Sequence, residues 1–345
     1  MSKVAKAAVG LMAATLVAKI LGFGRELALA SAYGASGVSD AFLVAMNIPA
    51  VIFTAIGTSL GTAFIPLYCE VNANKGEQAS NKFTNNVFNI VVIICLVLSV
   101  IGAIFTPQIV KMFAVGFEGE TLSLAIYYTR VMILGLAFLG MSYIMMAYLQ
   151  VKENFIIPGF MSVPYNILII ISIIVSVKIS PYLLPWGTLI GLSLQFLFQL
   201  PFAIKKGYRY KLYIDVKDEH LKRMLWLIAP VLIGVAVNQI NTIVDRTIAS
   251  TLVEGSISAL NYATKLNQFV MGMFIVSISS VVYPMLSKLS TENNKEKFNK
   301  SIITSVNTVT LLVIPISIGA IILANPIVKL LFQRGEFDAR ATQMT

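Results

Sequence analysis

Long apolar stretches alternate with short polar segments along almost the whole chain, and their lengths predict helices that cross a membrane. A helix needs about 20 mostly apolar residues to span the hydrocarbon core of a bilayer. Nine stretches meet this requirement. The sequence therefore predicts nine spans, which lie at residues 7–32, 37–67, 83–110, 122–149, 157–178, 184–204, 224–250, 256–287 and 301–324.

The composition agrees with an all-α protein that crosses a membrane many times. Hydrophobic residues make up 57% of the chain, charged residues only 12%, and the mean hydropathy is +0.82; a soluble domain is about 25% charged. The sequence has no P-loop, no GxSxG or HExxH motif and no paired-carboxylate pattern, and Cys69 and Cys95 lack metal or disulfide spacing. We therefore predict that the protein is not an enzyme and has no cofactor or metal.

Lysine and arginine are unevenly distributed between the segments that connect the spans. With the N-terminus in the cytoplasm, the inner segments carry 16 basic residues and the outer segments five. Because basic residues collect on the cytoplasmic side, we predict a cytoplasmic N-terminus and attribute the net charge of +10 to topology, not to a nucleic-acid partner. The longest inner segment, 205–223, holds seven basic and three acidic residues. We interpret it as a topology signal that also attracts anionic lipid, with a regulatory role as the alternative.

An internal repeat relates the two ends of the chain at an offset of 218 residues. It places Gly37 on Gly255, Pro66 on Pro284, Asn81 on Asn299, Asn89 on Asn307, and Ile109-Val110-Lys111 on Ile327-Val328-Lys329. Six predicted spans separate equivalent positions, so the copies have the same orientation, as in transporters built from parallel repeats. The sequence predicts two six-helix lobes: an N-lobe at 1–204, a cytoplasmic linker at 205–223 and a truncated C-lobe at 224–345. By repeat symmetry we expect the chain to be a fragment that lacks roughly 75 residues.

Charged side chains interrupt the predicted spans, most densely in the first two. A charge in the hydrocarbon core costs at least a few kcal/mol, so such residues usually face a protein interior or a water-filled cavity. The basic residues within spans are Lys19, Arg25, Arg130, Arg246 and Lys265, and the acidic ones are Glu26, Asp40 and Asp245. We interpret them as the lining of one wet, net-cationic chamber between the lobes. The alternative is that Lys19 or Arg25 reaches an interface and that Glu26 neutralises Arg25.

Glycine and proline predict points where the first two helices bend. Gly22 and Gly24 flank Phe23 just before Arg25, and glycine lets a helix bend or lets another backbone approach closely. Pro49 in the second span removes a helical hydrogen bond. We predict Gly22, Gly24 and Pro49 as hinges.

Five sequence segments resemble the MurJ/MviN family of lipid II flippases, members of the multidrug, oligosaccharidyl-lipid and polysaccharide exporter superfamily. They are AKILGFGRE at 18–26, GVSDAF at 37–42, AFIPLY at 63–68, NYATKL at 261–266 and VVYPMLSKL at 281–289. The resemblance implies an alternating-access transporter in the bacterial cytoplasmic membrane. Its substrate would be undecaprenyl-diphosphate-linked disaccharide-pentapeptide, moved from the inner to the outer leaflet for peptidoglycan synthesis. Such transport needs no covalent step.

The resemblance also implies roles for individual residues. Arg25 matches a functionally required arginine, Lys19 and Lys265 match basic positions that are usually arginine, and Asp40 matches an acidic position. With Glu26, these are the predicted substrate-binding residues. Asp245 resembles an acidic residue that joins a sodium site in some members. The chain departs from the pattern at 50–54, which holds no arginine, and at Gln268, where some members are acidic.

Three other functions stay open at this stage. A flippase for another polyprenyl-diphosphate oligosaccharide would need the same cations, because the diphosphate is shared. A cation-coupled drug antiporter needs a cavity dominated by carboxylates, which the five basic and three acidic residues within spans disfavour. A membrane scaffold would pair its buried charges one for one. We expect the protein to be a monomer that binds lipid II or a related lipid among membrane lipids. Its coupling would be to Na+, to H+ or to the membrane potential.

Overall fold

The computed structural model describes residues 3–268, 286 and 295–345, which form helices joined by short turns. Thirteen helices are described. They are α1 (Lys3–Tyr33), α2 (Gly37–Ile104), α3 (Thr106–Phe113), α4 (Gly119–Met132), α5 (Leu136–Val151), α6 (Ile156–Phe160), α7 (Ser162–Lys178), α8 (Leu184–Lys205), α9 (Glu219–Ser250), α10 (described over 256–268), α11 (Lys295–Ile322), α12 (Ala324–Phe332) and α13 (Ala339–Met344). Short 3-10 turns at Ile133–Gly135 and Pro181–Leu183 precede α5 and α8. The predicted all-α class is confirmed.

Seven segments of the described residues are long and apolar enough to cross a membrane, judged by length and composition. They are Gly37–Thr54, Leu60–Ile104, Gly119–Val151, Ile156–Lys178, Pro181–Lys205, Glu219–Ser250 and Lys297–Ile322. Helix α1 has 31 residues and is also long enough at about 1.5 Å per residue. The predicted span 256–287 is helical as far as 268, and most of its remainder lies outside the described residues.

Helix α2 joins the second and third predicted spans across a sharp break at Gly76. This residue has φ 79° and ψ 179°, whereas the rest of the 68-residue helix has helical backbone angles. A positive φ combined with an extended ψ is open essentially to glycine alone. Residues 72–78 are exposed around the break, so the polar sequence NANKGEQ forms the corner between two apolar halves. The chain thereby turns between spans without a separate loop.

The first lobe packs around α2, which contacts α4, α5 and α9, while α7 packs against α1 and α8. One buried cluster lies near the Gly76 corner and contains Tyr68, Tyr148 and Tyr208. A second lies near the start of α2 and contains Phe42 and Tyr128. We call the end with the Gly76 corner the linker end, and the end where α1 stops and α2 starts the sealed end.

The segment between α8 and α9 is docked on α2 and does not extend freely into solvent. Four asparagine side chains of α2 donate hydrogen bonds to its backbone carbonyls: Asn81 to Gly207 at 3.2 Å, Asn85 to Arg209 at 2.9 Å, Asn89 to Tyr213 at 3.0 Å and Asn86 to Asp215 at 2.9 Å. The sequence predicted a topology signal that attracts anionic lipid, with a regulatory role as the alternative, but no docked backbone. Asparagines at 81, 85 and 89 share one helix face, and this spacing was the signal for a docked backbone.

We predict that Gly76→Ala destabilises the protein by about 1–3 kcal/mol, because an alanine cannot adopt this backbone conformation without strain. A new methyl group meets no atom within 4 Å, so any loss arises from the backbone alone. The measurement is thermal unfolding of the purified protein in detergent. Gly61→Ala is the matched control, since Gly61 also has open space but lies in a regular helix, where alanine is favoured by about 0.5–1 kcal/mol. Equal unfolding temperatures for the two variants would contradict the prediction.

Candidate functional site

A cavity of about 200 Å³ lies between α1 and α10, where the two lobes face each other. Its lining contains three cationic side chains, one carboxylate and one amide. The lining residues are Lys19, Gly22, Phe23, Arg25, Glu26, Lys265 and Gln268. Four of the five predicted substrate-binding residues therefore meet in one cavity, and Asp40 is not among its lining residues.

Arg25 is held in place from two sides. Its Nη2 donates to Glu26 Oε1 at 2.6 Å, and its Nη1 donates to Asn166 Oδ1 at 3.3 Å. The Asn166 side chain is oriented in turn by a hydrogen bond of 2.9 Å to the Ser162 carbonyl. The Arg25 side chain keeps 15% of its surface exposed, against 2% for Glu26. The guanidinium is thus both oriented by protein contacts and open to the cavity.

Glu26 links the two lobes. Its second oxygen, Oε2, accepts a hydrogen bond of 2.9 Å from Asn261 of α10. The alternative that Glu26 neutralises Arg25 agrees with this geometry, because the two side chains form an ion pair. Sequence analysis missed Asn166 and Asn261, although Asn261 opens the segment NYATKL.

Lys19 and Lys265 have no carboxylate partner within the described part of the chain, where the ion pairs are Arg25–Glu26, Lys152–Glu77 and Arg223–Glu70. Lys265 Nζ donates to Gln268 Oε1 at 3.4 Å. Lys19 is exposed on α1. Since Glu26 offsets Arg25, these two lysines leave the cavity with a net positive charge.

Asp40 lies at the sealed end and caps a helix of the opposite lobe. Its Oδ2 accepts from the Gly255 N–H at 2.8 Å, and its Oδ1 accepts from the Ser258 N–H at 2.7 Å and the Ser258 hydroxyl at 2.6 Å. A helix start has N–H groups without an intrahelical partner, and a carboxylate satisfies both their hydrogen bonding and the helix dipole. Only 3% of Asp40 is exposed. In this conformation both carboxylate oxygens accept hydrogen bonds that hold the lobes together.

The reverse contact completes the seal around the pseudo-two-fold axis. Glu254, just before α10, accepts a hydrogen bond of 2.6 Å from the Gly37 N–H at the start of α2. Gly37 and Gly255 are equivalent in the repeat, so each lobe supplies a carboxylate to the other lobe's helix start. Gly255 has φ 92°, and a Cβ there would clash with the backbone oxygen of Ala35. The sequence repeat thus corresponds to a reciprocal contact.

Apolar side chains of the C-lobe cover the end of α1 beside these polar contacts. Ala30 packs with Tyr262, Phe332 and Phe337 in one buried cluster, and the Glu336 N–H donates to the Ser31 carbonyl at 3.0 Å. Helix α9 contacts the first lobe at both of its ends. Leu221, Met224 and Ile228 are buried in the cluster near the Gly76 corner, and Ala249 is buried at the sealed end. Between these contacts, Ile233 and Ile240 are 69% and 56% exposed.

The other predicted site residues have less specific surroundings. Asp245 is exposed on α9, and no group of His, Cys, Asp and Glu side chains suited to a metal occurs among the described residues. Its ion-binding role stays a prediction. The predicted hinges Gly22, Gly24 and Pro49 lie inside α1 and α2 without a break in either helix at those positions. Their bending stays a prediction about other conformations.

A family model described as lipid II flippase MurJ matches residues 29–345. The chain belongs to this family. The probable lipid II flippase MurJ of Buchnera aphidicola subsp. Baizongia pistaciae is 29% identical over 99% of this chain and 67% of its own length. The lipid II flippase MurJ of Burkholderia cenocepacia is 29% identical over 96% of this chain and 66% of its own length. The chain thus spans about two thirds of these MurJ relatives.

Solved structures of MurJ and of a more distant transporter have the same fold. A structure of lipid II flippase MurJ in an inward closed conformation is 31% identical, with a TM-score of 0.84 over 97% of this chain and 69% of that one. An inward-facing multidrug resistance transporter of the MATE family is 12% identical, with a TM-score of 0.72 over 97% of this chain and 78% of that one. At that identity the second likeness shows the fold alone, which is the predicted two-lobe helical architecture.

We predict that Asp40→Ala loosens the seal, because it leaves three donors of α10 without their acceptor. The measurement is the distance between nitroxide labels at two exposed sealed-end positions, Glu120→Cys and Arg340→Cys, by pulsed electron resonance, with Cys69→Ser and Cys95→Ala as background. The distribution should broaden towards longer distances. Asp218→Ala is the matched control, since Asp218 caps α9 through the Leu221 N–H at 2.9 Å far from the seal. Identical distributions for the two variants would reject the assignment.

Proposed function

We propose that this protein is a lipid II flippase that works by alternating access. The cavity between the lobes supports this proposal, because it combines an oriented arginine with two lysines that lack a carboxylate partner among the described residues. A diphosphate is a compact anion, and arginine and lysine bind it through charge-assisted hydrogen bonds. Membership of the MurJ family selects lipid II among the diphosphate lipids.

Arg25 would change partners when substrate binds. In this structure one edge of its guanidinium meets Glu26 and another nitrogen meets Asn166. A phosphate in the cavity competes with Glu26 for these donors, while Asn261 still holds Glu26 from the other lobe. Glu26 is then a positioning residue and Arg25, Lys19 and Lys265 are the substrate contacts. Asp40 contributes by stabilising the conformation that loads substrate.

The polyprenyl tail needs an apolar surface beside the cationic cavity. A second cavity of about 280 Å³ lies inside the first lobe, and its lining has no charged residue. The lining includes Met46, Phe53, Met132, Tyr143, Tyr165 and Leu192. Tyr165 directly precedes Asn166, the partner of Arg25, so the two cavities are neighbours along α7. We assign the start of the tail to this apolar cavity.

The orientation follows from the predicted cytoplasmic N-terminus. Helix α1 then runs outwards, and the sealed end faces the outside of the cell. The cavity would be accessible from the cytoplasm, where lipid II is made in the inner leaflet. Opening of the Asp40 and Glu254 contacts would be the step that exposes the substrate to the outer leaflet.

A flippase for another polyprenyl-diphosphate oligosaccharide is the main alternative, because the cavity recognises the shared diphosphate. Depletion of the protein in its own host separates the two, since the accumulated lipid-linked precursor identifies the substrate. A drug antiporter that captures cations is disfavoured by the net positive cavity. A scaffold without transport is disfavoured by the two lysines, which a one-for-one pairing of buried charges would have neutralised.

We predict that Arg25→Ala, introduced into the gene that encodes this chain, abolishes complementation while leaving the protein in the membrane. Loss of a hydrogen bond to a charged group costs about 1.5–3 kcal/mol, which weakens substrate binding by about 10- to 150-fold. Arg25→Lys should retain part of the activity, because the charge stays and the two-pronged geometry is lost. Lys19→Arg is the matched control and should be tolerated. Normal growth with Arg25→Ala at normal expression would remove the main residue of the proposal.

We also predict that the membrane potential resets the empty carrier. With Lys19, Arg25 and Lys265, the empty cavity is cationic, whereas a bound diphosphate brings it close to neutral. Each charge that crosses the full field is worth about 2.3 kcal/mol per 100 mV, so a negative interior favours return of the empty site to the cytoplasmic side. Collapse of the potential by an ionophore, with the sodium and proton gradients held, should slow flipping. Unchanged flipping would favour ion coupling instead, with Asp245 as the first residue to test.

A further inference from the structure

The linker forms a narrow loop that runs along α2 towards the body of the membrane span and then returns. Its backbone meets Asn81 at Gly207, Asn85 at Arg209 and Asn89 at Tyr213. Beyond that point it falls back to Asn86 at Asp215. Because a helix rises about 1.5 Å per residue, the tip lies about 12 Å along α2 from Asn81. Residues 81–89 follow the Gly76 corner and lead into the apolar second half of α2, so the loop lies beside the start of a membrane span.

The linker exposes three apolar side chains close together in the sequence. The exposed fractions are 77% at Leu212, 47% at Ile214 and 66% at Val216, and we call these three residues the apolar row. Tyr210 is turned towards α2, where its hydroxyl donates to Asn89 Oδ1 at 3.0 Å and its ring packs edge-on against Phe88. A contiguous exposed apolar row is costly in water and usually marks a surface that contacts a partner or a membrane.

Basic residues outnumber acidic ones in the linker, by seven to three. Five basic residues of the segment are exposed: Lys205, Lys206, Arg209, Lys211 and Lys217. Asp215 accepts hydrogen bonds from the Tyr213 hydroxyl at 3.1 Å and the Lys217 N–H at 2.9 Å, and Asp218 caps α9. The outward charge of the loop is therefore positive. Apolar side chains bordered by lysine and arginine are the pattern of segments that lie in the interface of an anionic membrane.

The position of the loop agrees with the level of a membrane interface. Helix α8 ends at Lys205 and α9 begins at Glu219, so both flanking spans reach their ends here. Trp226, 81% exposed near the start of α9, occupies a position typical of the aromatic belt at the headgroup level. The four asparagines of α2 bind backbone carbonyls of the loop at this level.

We propose that residues 212–216 insert into the interfacial layer of the leaflet at the linker end. The apolar row contacts the acyl chains, and the exposed lysines and arginine bind the phosphates of anionic phospholipids. The asparagine face of α2 holds the backbone at that depth. The connection between the lobes is thereby anchored to the membrane surface. It keeps the same depth in the membrane while the lobes move. This assignment is independent of which substrate the cavity carries.

The test measures the depth of a nitroxide at Leu212→Cys by its collisions with oxygen, which concentrates in lipid, and with a water-soluble nickel chelate. The full chain, in a Cys69→Ser, Cys95→Ala background, is placed in nanodiscs of phosphatidylcholine with and without phosphatidylglycerol. Two control labels give the reference accessibilities for water and for lipid. Lys75→Cys is at the exposed corner of α2, and Val97→Cys is 52% exposed on the apolar part of α2. The label at 212 should collide with nickel less often than position 75 and should have an oxygen preference between those of positions 75 and 97.

A second variant tests the charged part of the proposal. Lys205, Lys206, Arg209 and Lys211 are replaced by glutamine together, which keeps the apolar row. Phosphatidylglycerol should increase the depth of the label at 212 in the parent, and this increase should be lost in the variant. If position 212 collides with nickel as often as position 75 in both lipids, insertion is wrong. If it inserts equally with and without phosphatidylglycerol, the assignment of anionic lipid is wrong.

Discussion

The closed arrangement of the lobes depends on one carboxylate that caps a helix across the interface. Asp40 belongs to the N-lobe, yet its oxygens satisfy the first N–H groups of α10 in the C-lobe. The same hydrogen bonds therefore complete a helix and join the lobes. If the lobes part here, a buried charge and the donors of a helix start all lose their partners, and each needs water in return. Such a contact is either formed or broken, with few intermediate states, as a two-state gate requires.

The position of this seal explains why the cavity can stay charged. At the sealed end the lobes pack around Ala30 and Ala249. Lys19 and Lys265 instead line the cavity, where neither has a carboxylate partner among the described residues. Unlike the two lysines, Arg25 is held in place by Glu26 and Asn166. A preoriented arginine loses less conformational freedom on binding an anion than an arginine without such contacts does. The lysines supply charge.

The asparagine face of α2 is a second case in which side chains replace water as hydrogen-bonding partners. An extended backbone beside a membrane span needs an acceptor or donor for every peptide group. Asn85 and Asn89 provide donors to the linker, and Asn86 both donates to the Asp215 carbonyl and accepts from the Asp215 N–H at 2.7 Å. This docking fixes the linker to the first lobe. The repeat places Asn299 and Asn307 at equivalent positions of α11, where both are exposed.

The sequence alone determined the helical class, most spans, the repeat and the cationic character of the site, because hydropathy and charge are properties of each segment. It also predicted one chamber lined by the charged residues within spans; Lys19, Arg25, Glu26 and Lys265 line the cavity, and Asp40 does not. Only the tertiary structure decided what each charge touches. Asp40 caps α10 at the seal, Arg25 is shared between Glu26 and Asn166, and the linker rests on asparagines of α2. Apart from the Arg25–Glu26 pair, these contacts join residues more than a hundred positions apart. A hydrogen bond depends on distances within a few tenths of an ångström, and only the packing of helices sets those distances.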